Sequence, residues 1–366
     1  MPAVPRARRD GCPGALQVHE ADDGGLARIR IPGGWLTTEQ WTVLQRAAAE
    51  LGDGRLELTS RGNVQIRALD KNNDLAERLA QIGLLPSATH ERVRNIVASP
   101  LGGDRVRDAA NHLDKALCAV PELADLPGRF LFGIDDGSGD IAALDADVVA
   151  FATSRETFAI LLAGADYGIR VAADDVVPTV LEVANGFQQA RQCEWRLKEL
   201  DVPEFASQFA RTHQRITIEA PANPVGPVEQ HDGRVALCVV APIGRLTAEQ
   251  ARLLGAVAPT GQLAITPWRG VIVPDLPRAD IPGVAAELDL AGLILDPGSP
   301  WVGVSACTGT PGCARSHADV QRDAHRPENS HARKVHWSGC ERRCGHPAGR
   351  YVDVLATPTG YVVTGE

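Results

Sequence analysis

The chain has 366 residues and a formal net charge of −9. This acidic balance excludes a broad nucleic-acid-binding surface, so an anionic ligand must be met by a local group of arginines. The N-terminal segment is positively charged but no apolar stretch follows it, and no apolar run is long enough to cross a bilayer. These features predict a cytoplasmic protein with no membrane and no nucleic-acid partner. The eight cysteines are dispersed, so a disulfide framework is not expected.

An internal repeat organises much of the sequence. Residues 25–40 and 234–250 share a pattern in which an apolar strand leads to a helix capping box. In each copy the helix is followed by a strand, a turn with Arg-Gly, another strand and a further helix, which gives the order βαββα. The capping boxes are Thr37-x-x-Gln40 and Thr247-x-x-Gln250, and the further helices are predicted over Asp74–Gly83 and Ile281–Leu288.

Four cysteines near the C-terminus form the most informative motif. Cys307, Cys313, Cys340 and Cys344 are spaced as C-x5-C, twenty-six residues, then C-x3-C. Both pairs lie in glycine-rich segments, whose backbone is able to wrap closely around an inorganic group. Four thiolates in this setting are typical of a [4Fe-4S] cluster. A structural zinc site is the alternative, although zinc usually takes shorter C-x2-4-C knuckles.

These signals predict an α+β fold: duplicated ferredoxin-like βαββα units around a pseudo-twofold axis, plus α/β iron–sulfur domains. The predicted domains are a first half-domain at 15–85, an α/β domain at 90–220, a second half-domain at 225–290 and a cluster-binding α/β domain at 300–366. In the 90–220 region we expect helices at 104–117 and 176–191, strands at 129–134, 147–152 and 158–163, and a hairpin turn at 135–139. After residue 300 we expect a strand at 301–305, a short helix after Cys313, and strands at 351–355 and 361–364.

Arginines are concentrated at turns and strand ends. A guanidinium pairs bidentately with a carboxylate, so a converging set of arginines would recognise a polycarboxylate. The alternative is that most of them are ordinary surface residues, but the positions of Arg61, Arg94 and Arg129 favour a functional role. The arginines in such places are Arg28, Arg30, Arg61, Arg67, Arg92, Arg94, Arg129, Arg269, Arg342 and Arg343.

At these residues the chain resembles the nitrite and sulfite reductase haemoproteins, whose duplicated core and [4Fe-4S] domain enclose a tetrapyrrole. The resemblance rests on segments 28–34, 59–67, 94–100 and 126–130 and on both cysteine pairs. It implies that Cys344 bridges the cluster to a sirohaem iron. The residues that it implies for tetrapyrrole or substrate binding are Arg28, Arg30, Arg61, Gln65, Arg94, Asn95 and Arg129.

Within that family, segments 8–34 and 128–141 resemble the precorrin-3B synthase branch. The chain is also short for an assimilatory reductase, and Arg129 and Leu131 stand where the reductases present two basic residues, which weakens the hold on a small anion. The branch implies a monooxygenase of aerobic cobalamin biosynthesis, which hydroxylates precorrin-3A at C20 with O2 and forms a γ-lactone. A sirohaem-dependent sulfite or nitrite reductase is the alternative function.

The branch also implies a mononuclear non-haem iron and an external electron donor, a ferredoxin or a reductase. The sequence shows no clear 2-His-1-carboxylate spacing, and it assigns no catalytic residue. Segment 133–140 lacks the helix that a dinucleotide motif requires after its glycines, so no flavin or nicotinamide is predicted. The candidate iron ligands are His19, Glu20, His90, His112, His317, His336 and His346. The cysteines interpreted as ordinary, buried reduced thiols are Cys12, Cys118, Cys193 and Cys238. A functional role stays open for Cys12, because its Cys-Pro-Gly lies in the segment that resembles the synthase branch.

Overall fold

The structure is a computed structural model that describes residues 11–210, 212–230, 233–324, 334–347 and 349–365. No helix in these ranges is both long enough and apolar enough to pass through a membrane. The α-helices are α1 (Thr38–Leu51), α2 (Leu75–Gln81), α3 (Gly103–Cys118), α4 (Val176–Ala190), α5 (Val202–Ala206), α6 (Ala248–Ala256), α7 (Ile281–Leu290) and α8 (Val320–Ala324).

The strands form four sheets. Strands β1 to β10 are His19–Ala21, Gly24–Ile29, Trp35–Thr37, Arg55–Leu58, Val64–Leu69, Ile96–Ala98, Phe132–Asp135, Val148–Ala152, Thr157–Leu162 and Ala165–Ala172. Strands β11 to β19 are Gly226–Glu229, Val235–Val240, Arg245–Thr247, Gln262–Ile265, Gly270–Leu276, Val304–Ala306, Val335–Ser338, Val352–Thr357 and Gly360–Thr364.

The chain divides into two compact units. The middle unit contains the described residues up to Leu16 together with Arg30–Gly34 and Leu85–Asn223. The repeat unit contains Gln17–Ile29, Trp35–Leu84 and the described residues from Pro224 onward. Both copies of the repeat, apart from residues 30–34 of the first, and all four C-terminal cysteines therefore belong to the repeat unit.

In the repeat unit, each half contributes a strand to the other half's sheet. One sheet has the order β1-β2-β5-β4-β13 and the other β11-β12-β15-β14-β3. Strand β13 of the second half pairs antiparallel with β4 of the first, with Arg245 opposite Glu57. Strand β3 of the first half pairs with β14 of the second, with Thr37 opposite Gln262. This reciprocal exchange is the arrangement expected of a duplicated α+β unit, and the predicted fold class is confirmed.

Both predicted capping boxes form, and the helices that they start pack against each other. The Thr37 and Thr247 hydroxyls each accept a hydrogen bond from the backbone amide of the glutamine three residues later. Trp41 on α1 is 1 % exposed, and its indole Nε1 donates to the Ala251 carbonyl on α6 at 2.6 Å. A Cβ atom on Gly255 would lie 3.0 Å from the Trp41 ring, so the helices approach closely where this glycine stands.

The cysteine-bearing sheet has the order β16-β17-β18-β19. Strand β16 pairs parallel with β17, with Ala306 opposite Trp337, and β17 pairs parallel with β18. Because the carboxyl ends of parallel strands meet at one edge of a sheet, the loops that begin at Cys307 and at Gly339 leave from the same edge. The predicted helix after Cys313 forms later than expected, as α8.

The middle unit has a sheet of order β10-β9-β8-β7-β6, and helices α3 and α4 pack over its apolar core. The predicted hairpin at 135–139 is wrong, because β7 and β8 are parallel, with Asp135 opposite Phe151. Residues 136–147 are instead a crossover connection. The Asp135 carboxylate accepts hydrogen bonds from four backbone amides of this connection. Such Asp-Gly turns occur in tight hairpins and in longer loops, which explains the error.

We expect Trp41→Phe to lower the free energy of unfolding by about 1–3 kcal/mol, because it removes the buried indole hydrogen bond to the Ala251 carbonyl together with part of the buried ring. Chemical denaturation followed by circular dichroism measures this change. The matched control is Trp268→Phe, at a half-buried tryptophan of the same unit. Equal losses in the two variants would contradict the role given to the indole hydrogen bond.

Candidate functional site

The four C-terminal cysteines are carried by loops that pack closely on one another. Cys307 follows β16 directly, and its amide donates to the Trp337 carbonyl at 2.9 Å. The Gly339 amide donates to the Cys307 Sγ at 3.1 Å, so the second loop passes directly beside the first thiol. A Cβ atom on Gly339 would overlap the Ser316 hydroxyl and lie 3.4 Å from that Sγ. Glycine is therefore required at this close approach.

The thiols of the two loops interact electrostatically. Burial raises the pKa of Cys307, and the neighbouring Cys344 and Cys340 thiols raise it further. Burial also raises the pKa of Cys344, and among its neighbours Cys340 and Cys313 act in the same direction. All four cysteines thus converge, and a bound cation that stabilises the thiolates would reverse these shifts.

The spacing of the thiols favours a cluster over a single zinc ion. Zinc–sulfur bonds of about 2.3 Å in a tetrahedron place thiolates about 3.8 Å apart. Among the described residues, which include all four cysteines, no three of these Sγ atoms lie within 4.8 Å of one another. A cubane spreads its four ligands over a larger body. The residues therefore fit a [4Fe-4S] cluster, which would be held by Cys307, Cys313, Cys340 and Cys344.

Side chains from the first half hold the loop around Cys313. Arg67 forms a bidentate ion pair with Asp23 at 2.8 and 2.9 Å, and its Nη2 also donates to the Gly312 carbonyl at 3.4 Å. The Ala314 amide donates to an Asp22 carboxylate oxygen at 2.7 Å. The peptide groups on both sides of Cys313 are therefore tied to the first half. Sequence reasoning missed Asp22 and Asp23, which have no motif of their own.

The loop around Cys307 is held from the second half. Gln321 on α8 donates to the Cys307 carbonyl at 3.2 Å, and Arg245 on β13 donates to the Gln321 side chain. Arg245 also pairs with Asp53 at 2.7 Å and with Glu57 at 3.1 Å. This network joins the cysteine loop to both halves. Neither Arg245 nor Gln321 was predicted.

Two of the predicted tetrapyrrole residues of the repeat unit belong to the same network. The Arg28 Nε donates to the Gln65 side-chain oxygen at 2.8 Å, and the Gln65 amide donates to Glu57 at 3.0 Å. Arg61 stands in the turn between β4 and β5, where the Thr59 hydroxyl accepts its amide hydrogen at 3.3 Å. The structure therefore places Arg28, Arg61 and Gln65 in the first half, with Arg28 and Gln65 bonded to each other.

The remaining predicted residues lie in the middle unit. Arg30 is 2 % exposed and donates to the Arg92 carbonyl at 3.2 Å. Arg94 is 3 % exposed and pairs with both carboxylate oxygens of Asp114 at 2.7 Å, so a bound carboxylate would have to share or displace this partner. The Asn95 amide donates to two backbone carbonyls, and the Arg129 guanidinium stacks 4.7 Å from the centre of the Trp195 ring.

Leu131 has a structural explanation that the sequence did not reveal. Its side chain is 4 % exposed and packs in an apolar cluster with Val97, Ile141 and Val149. Its amide donates to the buried Asp147 carboxylate at 2.8 Å. A hydrocarbon at this position therefore serves the core of the middle unit. This packing role accounts for Leu131 at the position where the reductases present a basic residue.

The candidate iron ligands do not assemble. The only described group of three or more His, Cys, Asp or Glu residues close enough for one ion is Asp135, Asp136 and Asp140, which contains no histidine. His336 is fully buried, and burial lowers its pKa to about 4. Both of its ring nitrogens are engaged, by Ser305 and by the Cys344 carbonyl. The described residues therefore do not fit a 2-His-1-carboxylate iron, and no chemistry is assigned to one.

The other four cysteines are only partly as expected. Cys238 on β12 is buried, and burial raises its pKa to about 12, as for an inert core thiol. Cys12, Cys118 and Cys193 are half-buried.

Comparison with known proteins agrees with this architecture. Residues 19–82 and 228–291 both match the Nitrite/Sulfite reductase ferredoxin-like half domain. The chain therefore carries two copies of this half domain. It is similar to a ferredoxin–nitrite reductase of Synechococcus elongatus, 25 % identical over 88 % of this chain and 74 % of that protein. It is also similar to a precorrin-3B synthase of Sinorhizobium, 27 % identical over 98 % of this chain and 83 % of that protein.

The fold is shared with a solved relative. The Mycobacterium tuberculosis NirA protein superposes with a TM-score of 0.74 at 20 % identity, covering 93 % of this chain and 73 % of that one. At this identity the likeness establishes the fold. The two half domains of the present chain are the copies that the sequence repeat indicated.

We expect Cys340→Ser to lose most of the bound iron and acid-labile sulfide, because a cubane requires four thiolates. The measurement is an iron and sulfide count on anaerobically purified protein, together with the electron paramagnetic resonance signal after reduction. Cys193→Ser, at a half-buried cysteine outside the half domains, is the control and should keep both. Unchanged iron content and signal in Cys340→Ser would refute the ligand assignment.

Proposed function

We propose that the chain is a precorrin-3B synthase, a monooxygenase that hydroxylates precorrin-3A at C20 with O2 and forms a γ-lactone in aerobic cobalamin biosynthesis. The observation that carries this proposal is the extent of the likeness. The match to the Sinorhizobium synthase covers a larger share of both chains than the match to the nitrite reductase does. The resemblance of segments 8–34 and 128–141 to the synthase branch supports it, although residues 8–10 lie outside the described residues.

The two loops that carry Cys307, Cys313, Cys340 and Cys344 support the redox part of the proposal. A [4Fe-4S] cluster supplies electrons one at a time, which oxygen activation requires. The chain's own contribution is to hold four thiols in loops that are tied to both half domains through Arg67, Arg245 and Gln321. We propose an external donor, and the name of the nitrite reductase relative points to a ferredoxin.

The arginines support a polycarboxylate substrate. Precorrins carry several acetate and propionate groups, and charge-assisted bonds from guanidinium groups suit them. In the repeat unit we propose Arg28, Arg61 and Gln65 as binding residues, with Glu57 orienting Gln65. The proposed binding residues of the middle unit are Arg30, Arg94, Asn95 and Arg129.

We expect Arg61→Ala to weaken precorrin-3A binding by roughly ten- to a hundredfold, because a hydrogen bond to a charged group is worth about 1.5–3 kcal/mol. Anaerobic fluorescence titration with the tetrapyrrole measures the affinity. The control is Arg55→Ala, at an exposed arginine on β4 of the same sheet, which should bind normally. Unchanged affinity in Arg61→Ala would remove this residue from the site.

A sirohaem-dependent nitrite or sulfite reductase is the second candidate, and one observation favours it. Cys344 is exposed, whereas Cys307, Cys313 and Cys340 are half-buried. The resemblance to the reductases implies that Cys344 bridges the cluster to a tetrapyrrole iron. Such a bridge requires that the Cys344 thiol be accessible from outside the cysteine loops. The two candidates therefore differ in whether the tetrapyrrole is a resident cofactor or a substrate.

An optical spectrum and a paired assay separate the two candidates. The synthase should purify as a brown protein with broad cluster absorption and no Soret band, and should form hydroxylated precorrin only when O2 is present. The same preparation, with chemically supplied electrons, should reduce neither nitrite nor sulfite. A Soret band retained through purification, with turnover of either anion, would establish the reductase instead.

A further inference from the structure

Arg269 of the second half domain reaches the loop that carries Cys344. It stands in the turn between β14 and β15, which is the repeat-equivalent of the Arg61 turn. In both turns a threonine hydroxyl accepts the amide hydrogen of the residue four positions later, from Asn63 to Thr59 in one and from Gly270 to Thr266 in the other. Arg269 has a φ of 61°, a left-handed backbone conformation that residues other than glycine rarely adopt.

The Arg269 side chain passes over Gly244 and ends at the Gly345 carbonyl. A Cβ atom on Gly244 would lie 2.6 Å from the Arg269 Cδ, and Gly244 itself has a φ of 79°. The glycine therefore provides the surface over which the arginine stem passes. At the far end, the Arg269 Nη2 donates to the Gly345 carbonyl at 2.6 Å.

The preceding carbonyl of the same loop is held by a second side chain. His336 on β17 donates from Nε2 to the Cys344 carbonyl at 3.1 Å, since a carbonyl only accepts. Its Nδ1 lies 2.9 Å from the Ser305 hydroxyl on β16, which fixes the ring. Two consecutive peptide carbonyls, those of Cys344 and Gly345, are thus anchored by side chains from different elements of the repeat unit.

The two side chains that hold these carbonyls, His336 and Arg269, differ in charge. Histidine supplies a hydrogen bond, whereas arginine also supplies a positive charge one residue from a proposed cluster ligand. A cluster with four thiolate ligands becomes more negative on reduction, so a nearby cation that is partly shielded from water favours the reduced state. Groups around a metal's ligands commonly tune the metal in this way.

We infer that Arg269 is a positioning residue that fixes the Cys344–Gly345 peptide and raises the reduction potential of the [4Fe-4S] cluster. This inference rests on the cluster of the proposed function and goes beyond it. The two copies of the repeat have then diverged at one turn. The first copy presents Arg61 as a proposed substrate partner, and the second presents Arg269 to the cluster loop.

The test is a redox titration of the full-length, reconstituted protein, monitored by electron paramagnetic resonance without any tetrapyrrole. We expect Arg269→Met to retain iron and sulfide but to show about a tenfold lower ratio of reduced to oxidised cluster at a fixed potential, which corresponds to about 59 mV for a one-electron couple. Gly244→Ala, which pushes against the Arg269 stem, should shift the ratio in the same direction. Arg252→Met, at an exposed arginine of α6 paired with Glu249, is the control and should leave the ratio unchanged.

The outcomes distinguish this inference from the proposed function. A cluster lost in Arg269→Met but retained in Arg269→Lys would support the positioning role by a different readout. A wild-type potential and a wild-type iron content in Arg269→Met would overturn the inference and leave the cluster intact. An unsubstituted protein that binds no iron or sulfide would overturn the inference together with the proposed function.

Discussion

The parallel pairing of β16 with β17 is the constraint on which the candidate centre depends. The two strands are short, yet their register places Ala306 opposite Trp337 and sends the loops that begin at Cys307 and at Gly339 from the same sheet edge. Antiparallel pairing would send them to opposite edges and separate the two cysteine pairs. Parallel strands need a long crossover connection, which accounts for the long spacing between Cys313 and Cys340.

The duplicated half domains give the cysteine loops a support that the loops lack on their own. Strands β3 and β13 are exchanged between the halves, so neither half completes its sheet alone. From this framework, Arg67 reaches the Gly312 carbonyl, Arg245 reaches Gln321, and Arg269 reaches the Gly345 carbonyl. Each of these arginines contacts backbone, or a side chain that contacts backbone, beside a cysteine. The pattern is typical of a centre whose ligands are positioned by surrounding hydrogen bonds.

Duplication also explains how one scaffold supports two kinds of arginine. The turns that contain Arg61 and Arg269 share a threonine whose hydroxyl accepts the amide hydrogen of the residue four positions later, so the backbone geometry is kept. What differs is the neighbourhood: Gly244 and the Gly345 carbonyl surround the side chain in the second copy. The backbone of Arg269, with a φ of 61°, matches that of Gly62, with a φ of 62°, so the second copy places an arginine where the first has a glycine.

The sequence by itself determined the repeat and its capping boxes, and it predicted the cysteine ligand set, because each depends on residue types at short, fixed spacings. Helix caps and thiol pairs are local signals. Only the tertiary structure decided the strand exchange, the parallel order of β7 and β8, and the partners of the arginines. Arg94 is engaged by Asp114, and Leu131 belongs to an apolar cluster. Such contacts join residues far apart in the chain, and identical turn chemistry serves hairpins and crossovers alike, so no local pattern distinguishes them.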